Sequence, residues 1–173
     1  LVFSVFALFI PYGAYRVWNV VSDHATSHVR LLQFCGMGAF FVIIIVVWAF
    51  CLNASFMQSV VNFDWPALST IPQAFVDTLF VCSSLTPISP VLALFLVIGI
   101  VGTFKERNHL WITLLFIFVT IMYVACVATN GSLDRILTGF WYTDRFRISA
   151  LLAIVQTLLI AFGLAKTYSF IRK

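Results

Sequence analysis

Charge is scarce in this chain: Asp, Glu, Lys and Arg make up 9% of its 173 residues, and hydrophobic residues 62%. A typical soluble domain is about a quarter charged and half apolar. Water cannot solvate such a composition, so a soluble fold is excluded. Cysteine pairs at CxxC spacing are also missing. Cys35, Cys51, Cys82 and Cys126 each lie in or beside an apolar run and read as inert thiols, so neither a disulfide framework nor a zinc site is expected. The chain lacks a basic leader running to a small-residue cleavage site, so its opening apolar run does not read as a signal peptide. It begins at Leu1 inside that run, and reads as the C-terminal piece of a larger membrane protein. The ten basic residues behind the net charge of +4 sit mostly in loops and tails, as membrane topology demands, which leaves nucleic acid with little support as a partner.

Long uncharged apolar runs are abundant, and a helix needs about 20 such residues to cross a bilayer. The expected fold is all-α, a polytopic transmembrane helix bundle of about five membrane-spanning helices plus an interfacial or re-entrant helix. The spans are expected at about 1–15, 31–52, 87–104, 110–128 and 148–169, within a single transmembrane domain covering 1–173. A polar link from Asn19 to Arg30 separates the first two. The stretch from 73 to 104 is too long for one span. Pro87 and Pro90 discourage continuous helix there, so an interfacial or re-entrant helix near 73–85 followed by a separate span is preferred over one kinked helix.

Seven of the ten basic residues, Arg16, Arg30, Lys105, Arg107, Lys166, Arg172 and Lys173, fall on one side of this topology. Arg135, Arg145 and Arg147 fall on the other. The positive-inside rule then makes this a multi-pass protein of the cell membrane with a cytoplasmic C-terminus, and puts the 53–72 and 129–147 loops outside.

The segment 137–147, LTGFWYTDRFR, stands out: four aromatics, one acid and two arginines converge just before the last helix. Aromatic rings anchor at the interface, and arginine forks hold phosphate oxygens in bidentate geometry. Asp144 would orient an arginine, accept a proton, or cap the helix. The plainer reading is an aromatic belt with arginines against lipid phosphates; the sharper one is a site for a lipid-linked or sugar phosphate. His24 and His28 share a helical face beside Asp23 but read as a solvated link. Asp77 and Asp64 read as water-facing acids.

The stretch TGFWYTDRFRISALL, following a helix and a short loop with Asp134, resembles a segment of large actinobacterial polytopic membrane proteins. Their architecture is similar to that of the C-type glycosyltransferases, multispanning enzymes that use polyprenyl-phosphate sugar donors. The matching positions are Gly139, Trp141, Tyr142, Asp144 and Arg147, with a looser match over 86–99, and the resemblance covers about residues 85–165. It implies transfer of a sugar from a polyprenyl-phosphate donor to a cell-envelope acceptor on the outer face. In that case Asp144 or Asp134 would act as base or metal ligand. Arg145 and Arg147 would grip phosphate, and Trp141 and Tyr142 would stack on sugar or isoprenoid. Neither a metal-ligand set nor a cofactor follows from the sequence. The rival classes are a transporter or lipid flippase, for which broken helices speak, and a non-catalytic membrane subunit. The partners expected are membrane lipid, the polyprenyl-phosphate sugar, and the rest of a larger chain or other membrane subunits.

Overall fold

The computed structural model describes residues 2–24, 29–63, 65–83 and 87–172. His28 and Asp64 lie outside these residues, as do the side chains of Asp23 and His24. Among the described residues the chain forms eight α-helices and no strand. They are α1 (Val2–His24), α2 (Val29–Asn53), α3 (Gln58–Val61), α4 (Ile71–Leu79), α5 (Pro90–Lys105), α6 (Leu110–Ala128), α7 (Ser132–Thr138) and α8 (Arg145–Ile171).

Three stretches, Leu31–Asn53, Arg107–Ala128 and Arg145–Ile171, are long and apolar enough to span a membrane, and this is a membrane protein. α5 is apolar but has 16 residues. At 1.5 Å per residue it is about 24 Å long, short of a hydrocarbon core of about 30 Å. Two sequence expectations are corrected. The link expected from Asn19 to Arg30 is largely helical, because α1 runs unbroken to His24 and α2 starts at Val29. Pro11 sits buried inside α1, where neighbouring helices make its missing N–H tolerable. The 129–147 loop is also structured, holding α7 and a 3-10 turn, Gly139–Trp141.

The core forms around α6, which packs against α1, α4, α5, α7 and α8. Val119 and Met122 of α6 and Leu152, Val155 and Leu159 of α8 are wholly buried. α5 and α8 cross where both carry glycine. A Cβ on Gly99 would collide with the Leu159 carbonyl oxygen, and one on Gly163 with that of Phe95. In lipid, where apolar side chains gain little from leaving their solvent, such close backbone approach is a main source of helix association. Beside this crossing the hydroxyls of Thr103 and Thr113 meet at 2.6 Å, both buried.

Between α4 and α5 the helix breaks. α4 starts at a Thr70 cap whose hydroxyl accepts from the Gln73 N–H. Its end exposes the usual orphan carbonyls, and each of three finds a donor. The Val76 and Asp77 carbonyls accept from Phe80 and Cys82 N–H. The Thr78 carbonyl accepts from Nε2 of Gln156, at 2.8 Å, on α8. Gln156 is 1% exposed. The Thr78 carbonyl is therefore satisfied by a neighbouring helix, the kind of partner that hydrocarbon requires for broken helix. α4 and α5 are separate helices rather than one kinked span, and α5 starts at Pro90.

The polar segments sort to two ends. One end gathers Ser4 of α1, the C-terminal end of α6 and the α7–α8 connection: the Trp141 indole donates to Ser4, and the Leu68 and Ser69 N–H donate to the Val127 carbonyl. The other end gathers Glu106 and Lys166, which hydrogen-bond across the α5–α6 and α8 termini.

Candidate functional site

The α7–α8 connection is where the sequence concentrates its chemistry. Two consecutive non-glycine residues there adopt left-handed backbone, Tyr142 at φ 62° and Thr143 at φ 47°. Each such residue costs on the order of 1–3 kcal/mol, so the surroundings must hold the turn. Thr143 is 1% exposed. Its N–H donates to the Thr138 carbonyl at 3.3 Å and its hydroxyl to the Phe63 carbonyl at 2.7 Å, while its carbonyl accepts from the Cys126 thiol at 3.1 Å. Gly139 belongs to the same brace. A Cβ there would sit 3.2 Å from the Val61 side chain, so the turn and α3 are in close contact.

This strained turn directs neighbouring aromatics in opposite directions. Trp141 turns inward. It is 4% exposed, donates its indole N–H to Ser4 Oγ at 2.9 Å and packs against Trp48 with ring centroids 6.2 Å apart. It presents no open face for stacking on a sugar or isoprenoid, which departs from the role expected from the sequence. Tyr142 turns outward and is 36% exposed, edge-on to Phe63, which in turn meets Trp65.

Asp144 caps α8. Its Oδ1 accepts from the Phe146 N–H at 2.9 Å, and its Oδ2 lies 3.3 Å from Nε of Arg147. The Arg147 guanidinium also stands over the Tyr142 ring, 4.8 Å from the centroid. Tyr142, Asp144 and Arg147 are thus one surface group. Nε is one of five N–H donors on arginine, so the ion pair leaves the fork able to bind an anion. Arg145 is half-buried over the Phe146 ring at 4.8 Å.

Asp134 is set apart. It is 2% exposed, and its Oδ1 accepts from the Arg135 N–H at 2.7 Å within α7. Of the two acids singled out by sequence, Asp144 is the one open to solvent. Asp77 is tied to Gln73 Nε2 at 2.7 Å. Among the described residues no three His, Cys, Asp or Glu side chains converge to hold a metal ion.

Sequence reasoning missed the groove beside this turn. A cavity of about 490 Å³ is lined by α1, α2, α6 and α7, with Phe41, Ile45, Trp48 and Leu52 along α2 and Ile136 and Leu137 from α7. Its lining is almost wholly apolar. From Phe41 to Leu52 it follows roughly 16 Å of helix. Within it Trp48 ties α2 to α7, donating its indole N–H to the Ile136 carbonyl at 2.7 Å and meeting Phe140 edge-on at 4.8 Å. Sequence hid the groove because Trp48 sits within an uncharged apolar run like any lipid-facing residue.

Fold and site together define an all-α membrane protein with an arginine-bearing, braced turn beside a lipid-depth groove. The chain belongs to the family of unknown function DUF6541, which matches it over residues 1–173. No curated protein and no solved structure matches it.

Proposed function

We propose that this chain binds a polyprenyl-phosphate-linked sugar at the outer face of the cell membrane, as part of a C-type glycosyltransferase that passes the sugar to a cell-envelope acceptor. The observation that carries this reading is the junction of groove and turn. α7 lines the apolar groove through Ile136 and Leu137, and leads directly into the turn that displays Tyr142, Asp144 and Arg147. An isoprenoid chain needs a long, dry, apolar trough, and its phosphate needs arginine at one end of it.

Arg147, oriented by Asp144, and Arg145 hold the phosphate. Tyr142 offers the exposed ring for the sugar, and Asp144 is the acid positioned to take a proton from an acceptor hydroxyl. Trp141 positions the turn rather than touching substrate, while Trp48 both braces the turn and lines the groove. Strained backbone held by several independent contacts supports the reading, since such strain clusters at functional sites. The chain is multi-pass with its C-terminus in the cytoplasm, because the end opposite the turn carries most of the basic residues. It works with the rest of a larger chain or with other membrane subunits.

The test uses the full protein in its native membrane, with binding and turnover of polyprenyl-phosphate sugars as readouts. Asp144→Asn retains a good helix cap but removes the charge. Turnover should fall by about 10²-fold or more, the usual scale for losing a general base, while abundance stays normal. Arg147→Ala should weaken donor binding. If both variants bind and turn over donor like the parent, the turn is an interfacial anchor.

A transporter or lipid flippase is the second reading, favoured by the break between α4 and α5. There the Oε1 atom of buried Gln156 has no hydrogen-bond partner among the described residues, as a midplane polar site would require. Donor movement across the bilayer without turnover would favour it.

A further inference from the structure

The end of the molecule opposite the turn holds a second cavity, of about 660 Å³, between α1, α2 and the start of α6. It is polar where the groove is dry. Arg16 and Asn19 line it from α1, and Arg107 and Asn108 from the α5–α6 connection. Cys126, near the other end of α6, contacts the strained turn. From there to Arg107 is roughly 28 Å of helix, so the two sites cannot share a ligand headgroup.

Both arginines lack an ion-pair partner among the described residues. The acid beside Arg107 is engaged elsewhere: Glu106 binds Lys166 and lies 3.5 Å from Nδ1 of His109. Two cations from distant parts of the chain therefore face one cavity, with no acid among its described lining residues. Trp18 and Tyr15 form an aromatic wall, with Trp18 edge-on to Phe34 at 6.3 Å. Met37 and Leu114 make part of the lining apolar. Two unpaired guanidinium groups with amide donors beside them match the oxygens of a phosphate. An apolar wall next to them suits the first carbons of an acyl chain, and aromatic residues are favoured at headgroup depth.

We propose that this cup is a phosphate-binding site, and that its ligand is the phosphate of an anionic lipid headgroup or a free phosphate in solution. It is separate from the site proposed at the turn and stands or falls independently of it.

The full protein is placed in nanodiscs of phosphatidylcholine containing a minor share of phosphatidylglycerol, and the phosphatidylglycerol that stays bound is counted by native mass spectrometry. In parallel, inorganic phosphate is titrated against the protein in phosphatidylcholine alone and followed by phosphorus NMR. Retention of phosphatidylglycerol that falls about tenfold in Arg16→Gln and in Arg107→Gln, the scale of one lost charge-assisted hydrogen bond, assigns the site to a lipid headgroup. Saturable phosphate binding lost in the same variants assigns it to a soluble phosphate. Arg172→Gln removes one positive charge near the C-terminal end of α8, outside the cup lining, and should leave both readouts unchanged. Both arginines are exposed, so melting temperatures should match the parent and exclude misfolding. Binding that is indifferent to Arg16 and Arg107, or weakened equally by Arg172→Gln, overturns the proposal.

Discussion

α2 and α6 look alike as sequence and differ as structure. Each carries an uncharged apolar run long enough to span, yet none of the most apolar stretch of α2 is buried inside the protein, against 67% in α6. The reason lies in what touches them. α6 has α1, α4, α5, α7 and α8 around it, whereas α2 packs mainly on α1 and is fastened at one end by Trp48. Apolarity tells a segment to leave water; in lipid it does not say whether the neighbours will be protein or acyl chains. Close glycine contacts and buried side-chain hydrogen bonds decide that, and they join α5 to α6 and α8.

The glycines give the strongest way to break this contrast. Gly163→Ala or Gly99→Ala drives a methyl into a backbone carbonyl at the α5–α8 crossing and should cost about 2–3 kcal/mol or more. That would appear as a large drop in melting temperature of the detergent-solubilised protein. Gly38→Ala on α2 meets nothing within 4 Å, and the same assay should show a change within about 0.5 kcal/mol. Equal effects at the three positions would erase the distinction between core and lipid-facing helices.

Gln156→Leu is next in size. It strips the donor from the Thr78 carbonyl at the helix break, and an abandoned buried acceptor costs roughly 1–3 kcal/mol. Faster hydrogen exchange confined to α4 and residues 80–83 would show where the loss falls. Trp48→Phe keeps a ring against Phe140 but deletes the bond to the Ile136 carbonyl. About 1 kcal/mol should be lost, with looser α2 seen as increased protease cleavage near Asn53.

The smallest effect lies at the basic end. The hydrogen bond from Lys166 holds the Glu106 carboxyl below its ordinary value of 4.5, with the Lys166 and His109 charges helping. A carboxylate depressed in the folded protein adds stability above its unfolded pKa and loses it as pH falls through the folded value. The melting temperature of Glu106→Gln should therefore fall slightly below the parent's at pH 6, and the difference should vanish as the pH is taken well below 4.5.

Much of the fold was legible because α2, α6 and α8 each combine an uncharged run with polar flanks, and no tertiary contact is needed to read that. α1 was underread: Arg16 and Asp23 look like the start of a loop, but a helix can extend past the hydrocarbon core and keep its charges at the end. The α4–α5 break was readable from Pro87 and Pro90, though its cover, Gln156, was not. In sequence Gln156 is one amide in an apolar helix.

The turn at 139–147 was found by composition, but its division of labour was not. Trp141 and Tyr142 are chemically similar neighbours, and only the left-handed backbone and Ser4, far away in sequence, send one inward and leave the other open. Arg16 and Arg107 meet in one cavity for the same kind of reason, since helix packing brings them together from separate polar stretches.

The most direct test of the functional reading is photocrosslinking in native membranes with a polyprenyl-phosphate sugar carrying a photoreactive group in its isoprenoid chain. The account predicts adducts on α2 between Phe41 and Leu52 or on α7 at Ile136 and Leu137, competed by unlabelled donor and weakened by Arg147→Ala. Adducts spread over the lipid-facing surfaces of α5 and α8, indifferent to competitor and to Arg147, would contradict it.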